Sequence, residues 1–209
     1  MYKIIKKKIY NRLVVPFLKV WKMIEWRIYH WRNKEINLVI GAGGTRFRNW
    51  ISTDITTLDI INEEDYRKYF LKKKINMILA EHVFEHLDNH QIEKAIANFY
   101  KYSSDNVNIR IAVPDGYHAD EKYLNLIKPG GSGAGAEDHK QLFNYISLAS
   151  LFEKHGFKSR LVEYWDEKME FHPGYTNDNK GYISRSFLND ERNIDGIPHY
   201  TSLIIDFFK

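Results

Sequence analysis

From Ile36 to Ile40 the chain is almost continuously apolar, the run expected of a short strand buried on both faces of a parallel sheet. Gly41-Ala42-Gly43-Gly44 follows at once, and Trp50 to Thr53 reads as a second short strand that ends in Asp54. Leu58-Asp59-Ile60 sits at the end of a third short strand or in the loop after it. Residues Glu63 to Lys74 predict a helix with acids first and lysines last, which suits the helix dipole. Ile75 to Ala80 is another apolar strand, and Gln91 to Tyr102 sets Ile92, Ala95, Ile96 and Phe99 on one helical face. Val107 to Val113 is a strand that runs into the turn Pro114-Asp115-Gly116. Residues 117–140 lack strong periodicity, and their glycine-rich end reads as a flexible active-site loop or as a plain surface loop. A helix from Gln141 to His155, capped by Gly156, precedes a strand from Phe157 to Tyr164. Residues 165–199 are polar, aromatic and loop-rich, and Tyr200 to Phe208 closes the chain as a strong strand.

Strands alternating with helices and loops at this pitch imply βαβ units and a mostly parallel α/β sheet. Such sheets bind ligands outside the carboxyl ends of their strands. Gly41–Gly44, Asp54, Glu81–His82 and Asp115–His118 all follow strand ends, so all are expected to line one crevice. Glycine lets a ligand approach the backbone closely, and an acid such as Asp54 can accept hydrogen bonds from ribose hydroxyls. The pattern alone fits a nucleotide site and a plain tight turn equally.

Charge adds an asymmetry. Residues 1–34 hold ten Lys or Arg against the single acid Glu25, so the remaining residues carry −5 of the overall +4. A basic groove for nucleic acid on the body is therefore not expected. Within this arm the apolar residues recur at spacings of three and four, which predicts an amphipathic helix broken or kinked at Pro16. We read the arm first as a helix capping the sheet with its lysines solvated. The alternatives are peripheral membrane contact, with Trp21, Trp26, Tyr29 and Trp31 at the interface, and a homodimer contact. The chain has no cysteine, which excludes disulfides and thiolate chemistry and fits a cytoplasmic protein, at the inner face of the membrane if the arm binds lipid. No apolar run is long enough to span a membrane, and no secretory signal is expected.

The ordered set NLVIGAGGTRFRNWISTDI, LDI, ILAEHVFEHL and IRIAVPDG resembles the class I S-adenosylmethionine (SAM) dependent methyltransferases. It is similar, more narrowly, to a bacterial group associated with surface-polysaccharide and lipopolysaccharide gene clusters. The tail, from DHKQLFNYISLASLFEKHGF to YTSLIIDFFK, carries the same likeness. The resemblance covers residues 36–209, and the domain boundary is set at 1–34 for the arm and 35–209 for the body. It implies a Rossmann-like sheet of seven strands, mostly parallel, with the last strand antiparallel beside Phe157–Tyr164 and helices on both faces. It implies SAM as methyl donor, held by Gly41, Ala42 and Gly43 under the methionine portion and by Asp54 on the ribose. Asp59 would lie near the adenine, and Glu81 and His82 would close the methionine side. The first helix must then shrink to the loop Thr45–Asn49.

Methyl transfer to a hydroxyl is helped by a base, and histidine is the side chain suited to neutral pH. His139, preceded by Asp138, is the first candidate and His118 the second, with Asp115 orienting either or binding the acceptor. His82 reads as shaping the donor pocket, and His86 as a capping or packing residue of the next helix. A metal held by Asp115, His118, Asp138 and His139 is not expected, because no metal-ligand spacing such as HExxH is present. Trp165 and His172, among several aromatic residues, form a wall for a sugar ring or simply cover the sheet. Arg185 binds an anionic group or pairs within the Asp190–Asn193 region. The expected function is O-methylation of a sugar or other polar group of a surface glycan, or of its nucleotide- or lipid-linked precursor. A small-metabolite methyltransferase and a non-catalytic binding module are the alternatives.

Overall fold

The computed structural model describes residues 14–70 and 73–209. The sequence expectations for residues 1–13 lie outside the described residues. Helix α1 (Val15–Arg32) starts with Pro16 in its first turn, where the missing N–H costs nothing, so the proline opens this helix. Strands β1 (Asn37–Ile40) and β2 (Ile51–Ser52) follow, joined by the glycine turn and no helix. Then come α2 (Glu63–Phe70), β3 (Ile75–Glu81), a 3₁₀ turn (Phe84–His86), α3 (Asn89–Tyr102) and β4 (Ser103–Pro114). The second half holds α4 (Glu121–Ile127), a 3₁₀ turn (Ala136–Asp138), α5 (Tyr145–Glu153), β5 (Lys158–Trp165), β6 (Phe171–His172) and β7 (Ser202–Phe208).

The seven strands form one sheet in the order β2-β1-β3-β4-β7-β5-β6. β2, β1, β3 and β4 pair in parallel, whereas β7 runs antiparallel between β4 and β5, as the family resemblance implies. The count of seven is reached differently from the expectation. Leu58-Asp59-Ile60 forms a turn, and the edge pair β5–β6 supplies the remaining strand. The segment 117–140 also contains α4, whose N-cap Asp120 accepts from the Lys122 N–H.

Alternate residues of the central strands divide the core. Leu38, Ile78, Ile109, Ile111 and Ile205 pack beneath helical residues such as Tyr66, Phe99 and Phe152. Val39, Leu79, Ala112 and Ile204 face the other way and meet Tyr175 and Ile183 of the tail loop. Helices are thus gathered on one face of the central sheet, where the sequence suggests both; the second face is closed by loop. The loop lies close enough that a Cβ on Gly174 would come within 2.3 Å of the Val162 carbonyl oxygen. Glycine is required there by space.

Helix α1 caps one flank, the preferred reading of the arm. Trp26 is buried against Tyr69 and Phe70, with ring centroids 5.1 and 5.0 Å apart. The Tyr29 hydroxyl donates to the Asn49 carbonyl, and Lys22, buried, donates to the Ser52 carbonyl. Trp26 and Tyr29 therefore belong to the core, which corrects their reading as interfacial residues, and Lys22 is not a solvated lysine. The opposite stripe of α1, Phe17, Trp21, Ile24, Ile28 and Trp31, is exposed.

Candidate functional site

The carboxyl ends of β1 and β3 open onto two adjoining cavities that share Ala42, Gly43 and Thr45. The larger, about 800 Å³, runs between α1 and the turn and includes Arg46, Asp54, Thr56 and Thr57. The smaller, about 370 Å³, is lined by Gly41, Glu81, His82, Glu85, His86, His139 and Arg185, among others. The turn between them is tied down from behind, because the Ala42 N–H donates to the Thr53 carbonyl at 2.9 Å. Gly43 has φ +55°, and a Cβ there would meet no atom closer than 3.9 Å. An added side chain would thus project into the open space that both cavities share. Bare backbone facing a cavity is what a ligand passing close to the chain requires.

Asp54 sits at the larger cavity. Partial burial pushes its carboxyl up, but hydrogen bonds from Thr56 and Thr57 outweigh that and hold it below the ordinary value. Those bonds fall on Oδ1, from the Thr56 N–H, the Thr56 hydroxyl and the Thr57 hydroxyl. Among the described residues, none donates to Oδ2. Glu81 accepts from the Ser184 N–H and hydroxyl and from the Arg185 N–H, so it also anchors the tail loop across the cavity. His82 adopts φ +53°, an uncommon conformation for a residue with a Cβ. Its Nε2 lies 3.1 Å from the Ser202 hydroxyl and its Nδ1 3.2 Å from a Glu85 oxygen.

His139 reaches the smaller cavity from the far side of the sequence. Its Nδ1–H donates to the Ile127 carbonyl at 2.6 Å, which fixes the ring and leaves the Nε2 lone pair for another partner. The His139 and His86 rings meet edge to face at 4.8 Å, and one ligand atom from each, with one Glu85 oxygen, all lie within 4.8 Å of one another. Glu85 is fully buried, yet among the described residues neither carboxylate oxygen has a hydrogen-bond partner. Sequence reading missed Glu85 and treated His86 as a helix residue. The cap of α3 is in fact Asp88, paired with Gln91, and this frees His86 for the cavity. The signal available was the repeat Glu81-His82, Glu85-His86, four residues apart at a strand end.

Of the other expected site residues, Arg185 lines the smaller cavity and the rest line neither. Asp115 is fully buried and accepts from the Tyr117 and Trp165 N–H groups. Burial raises its carboxyl to about 7. His118 donates from Nε2 to the Pro198 carbonyl and accepts at Nδ1 from the Asp120 N–H, so both nitrogens are occupied. Burial lowers it to about 4. The shared crevice expected of the four strand ends is therefore corrected at β4: Trp165, Tyr123 and the Pro198 region cover that end. Asp138 lies beside His139 but turns to the surface, and Trp165 is buried with Nε1–H donating to the Thr201 hydroxyl. His172 pairs with Asp166 at 2.9 Å and stacks on Tyr164. Arg185 lines the cavity with a nitrogen 3.7 Å from Glu81, and Arg192 pairs with Asp190 at 2.6 Å. Asp59 is turned to the start of α2: its N–H donates to Asp65 and its Oδ1 accepts from the Ile61 N–H.

Among solved structures, the chain is similar to a SAM dependent methyltransferase from Archaeoglobus fulgidus, at 18% identity and a TM-score of 0.48, covering 99% of this chain and 98% of that one. It is also similar to LepI in complex with SAM, at 8% identity and a TM-score of 0.46, where 90% of this chain spans 40% of that one. No curated protein matches the chain. The model of a methyltransferase domain family matches residues 32–162, well over half the length and the whole span from the end of α1 through β5's centre, including the glycine turn, Asp54, Glu85, His86 and His139. The chain belongs to this methyltransferase domain family.

Proposed function

We propose that the chain O-methylates a hydroxyl of a sugar or other polar group of a surface glycan, or of its nucleotide- or lipid-linked precursor. The observation that carries this reading is the meeting, on one small cavity, of the bare glycine turn with Glu85, His86 and His139. SAM, when bound, supplies a methyl group on a positively charged sulfur that an oxygen nucleophile can displace. Gly41, Ala42 and Gly43 would run beneath the donor, Asp54 would accept from the ribose through Oδ2, and Glu81 and His82 would flank its methionine end. The work left to the protein is alignment, and proximity supplies much of the rate in such displacements. On the acceptor side, the His139 Nε2 lone pair is the group available to activate a hydroxyl. Arg185 adds positive charge for an acceptor that carries phosphate.

The exposed stripe of α1 supports the lipid-linked form of the acceptor and peripheral membrane contact. Phe17, Trp21, Ile24, Ile28 and Trp31 recur every three or four residues on one face, in an arm of net charge +9. Trp21, Ile24 and Ile28 also line the larger cavity. No described helix is long and apolar enough to cross a membrane, so contact would be along the surface.

S-adenosylhomocysteine at a hundred times its Kd should stabilise the folded chain by about 2.7 kcal/mol, read as a rise in melting temperature. Asp54→Ala should remove most of that rise. Absence of any rise at millimolar ligand defeats the donor reading. Transfer of labelled methyl to free sugar, nucleotide sugar and lipid-linked sugar then selects the acceptor, and transfer only to small metabolites replaces the glycan reading. For the membrane, Trp21→Glu with Trp31→Glu should abolish cosedimentation with anionic vesicles. This pair is preferable to deleting α1, whose inner face is part of the core.

A further inference from the structure

The cluster Glu85–His86–His139 has features that a general base alone does not require. Glu85 is fully buried and, among the described residues, neither oxygen accepts a hydrogen bond, a costly state for a carboxylate unless a cation joins it. Its nearest neighbours include nitrogen-bearing rings: His82 Nδ1 at 3.2 Å, with His86 and His139 completing a group of ligand atoms within 4.8 Å. His139 donates its other ring N–H to a backbone carbonyl. That is the outer hydrogen bond that metal-bound histidines usually make, because it fixes the tautomer and orients the free nitrogen. The three residues come from the 3₁₀ turn after β3 and the loop after α4, and all three line the cavity that the glycine turn also lines.

We infer that Glu85, His86 and His139 form a binding site for a divalent transition-metal ion. One carboxylate and two imidazoles are the donor set of first-row ions such as iron, cobalt and zinc, and three protein ligands leave coordination positions for a ligand from the cavity. A hydroxyl oxygen of the acceptor fits such a position. This role rests on the methyltransfer reading; the cation site itself does not. In it His139 acts as a ligand, and activation of the hydroxyl passes to the ion, which polarises the oxygen it holds. The second carboxylate–histidine group, Asp166, Glu170 and His172, lacks the buried unpartnered oxygen: its Asp166 is engaged by His172 and two N–H groups.

The test is titration of the chelator-treated full chain with Co²⁺, followed by its visible absorption. One equivalent should bind and develop ligand-field bands. Glu85→Gln and His139→Ala should each weaken binding by at least ~10-fold and change the bands. His172→Ala should leave both unchanged. Circular dichroism and S-adenosylhomocysteine binding on the same samples separate the possible failures. Wild-type-like Co²⁺ binding in folded Glu85→Gln and His139→Ala overturns the site, as does absence of binding by the wild type at about 1 mM Co²⁺, a concentration far above that needed to saturate protein sites built on this donor set. Loss in His172→Ala moves the site to the other cluster and also overturns it. If Co²⁺ binds as expected but S-adenosylhomocysteine does not, the site stands and the donor reading falls.

Discussion

Two buried carboxylates, one behind the sheet and one at its edge, are handled in opposite ways. Asp206 on β7 is fully buried and receives Arg110 through two bonds, at 2.7 and 3.0 Å, and Arg160 at 2.7 Å. Burial alone would push its carboxyl up, but these guanidinium bonds hold it below the ordinary value. Arg110 also binds Asp178 and the Gly181 carbonyl, so the network pins the tail loop to the second face of the sheet. Glu85 is equally buried, yet among the described residues neither oxygen accepts a hydrogen bond, and His82 Nδ1 approaches only to 3.2 Å. Burial itself therefore does not distinguish structure from function in this protein. The two differ in satisfaction: Asp206 sits in a filled network, which rigidifies, whereas Glu85 lies unfilled at a cavity.

That contrast can be broken from the filled side first. Arg110→Ala leaves Asp206 and Asp178 short of a partner inside the fold and should destabilise the chain by about 3–5 kcal/mol, measured by urea unfolding. On the open side, His139→Ala should lower turnover about 100-fold while leaving the Kd for S-adenosylhomocysteine within about two-fold. Parallel loss of both would reassign His139 to the fold. A smaller effect tests an intermediate case, Glu163, which is buried with a single backbone donor, the Phe187 N–H. Burial raises its carboxyl to about 8 from an ordinary 4.5. The folded chain therefore keeps a proton that the unfolded chain has released. Its stabilising effect is full below pH 4.5 and is lost as pH rises toward 8. Glu163→Gln should flatten that decline, read as melting temperature against pH; an unchanged slope would place the cause elsewhere. The smallest effect is expected at Glu85 itself. In metal-free protein Glu85→Gln should change stability by less than about 1 kcal/mol or raise it, because no hydrogen bond is lost. A large loss would mean that Glu85 is structural, like Asp206.

Much of the frame was legible in the chain. The absence of a helix over Thr45–Asn49 is what the family resemblance implies, and the apolar run Ile36–Ile40 and the glycine turn follow from local composition alone. So do β3, the amphipathic face of α3 and the closing strand β7. Periodicity reports which residues must leave water, and that information is local. It also led to errors where local cues are silent. Asp115 and His118 stand at a strand end and were expected at the site, but the segments that bury them come from β5 and the stretch before β7. Trp26 and Trp31 look alike in the arm, yet one is core and the other is the most exposed tryptophan of α1.

The sequence by itself determined the strand order in time, the glycine turn with its acid, and a family whose chemistry is methyl transfer. Only the tertiary structure decided which polar groups share a cavity. His139 lies more than fifty residues beyond Glu85 and His86, and its ring is aimed by the Ile127 carbonyl. No periodic pattern connects them. Their meeting depends on how the loop after α4 folds back over the end of β3, where the Lys140 and Gln141 N–H groups donate to the Glu85 carbonyl. Contacts of that kind are set by long-range packing and by the saturation of backbone donors, and neither is written in the spacing of residues along the chain.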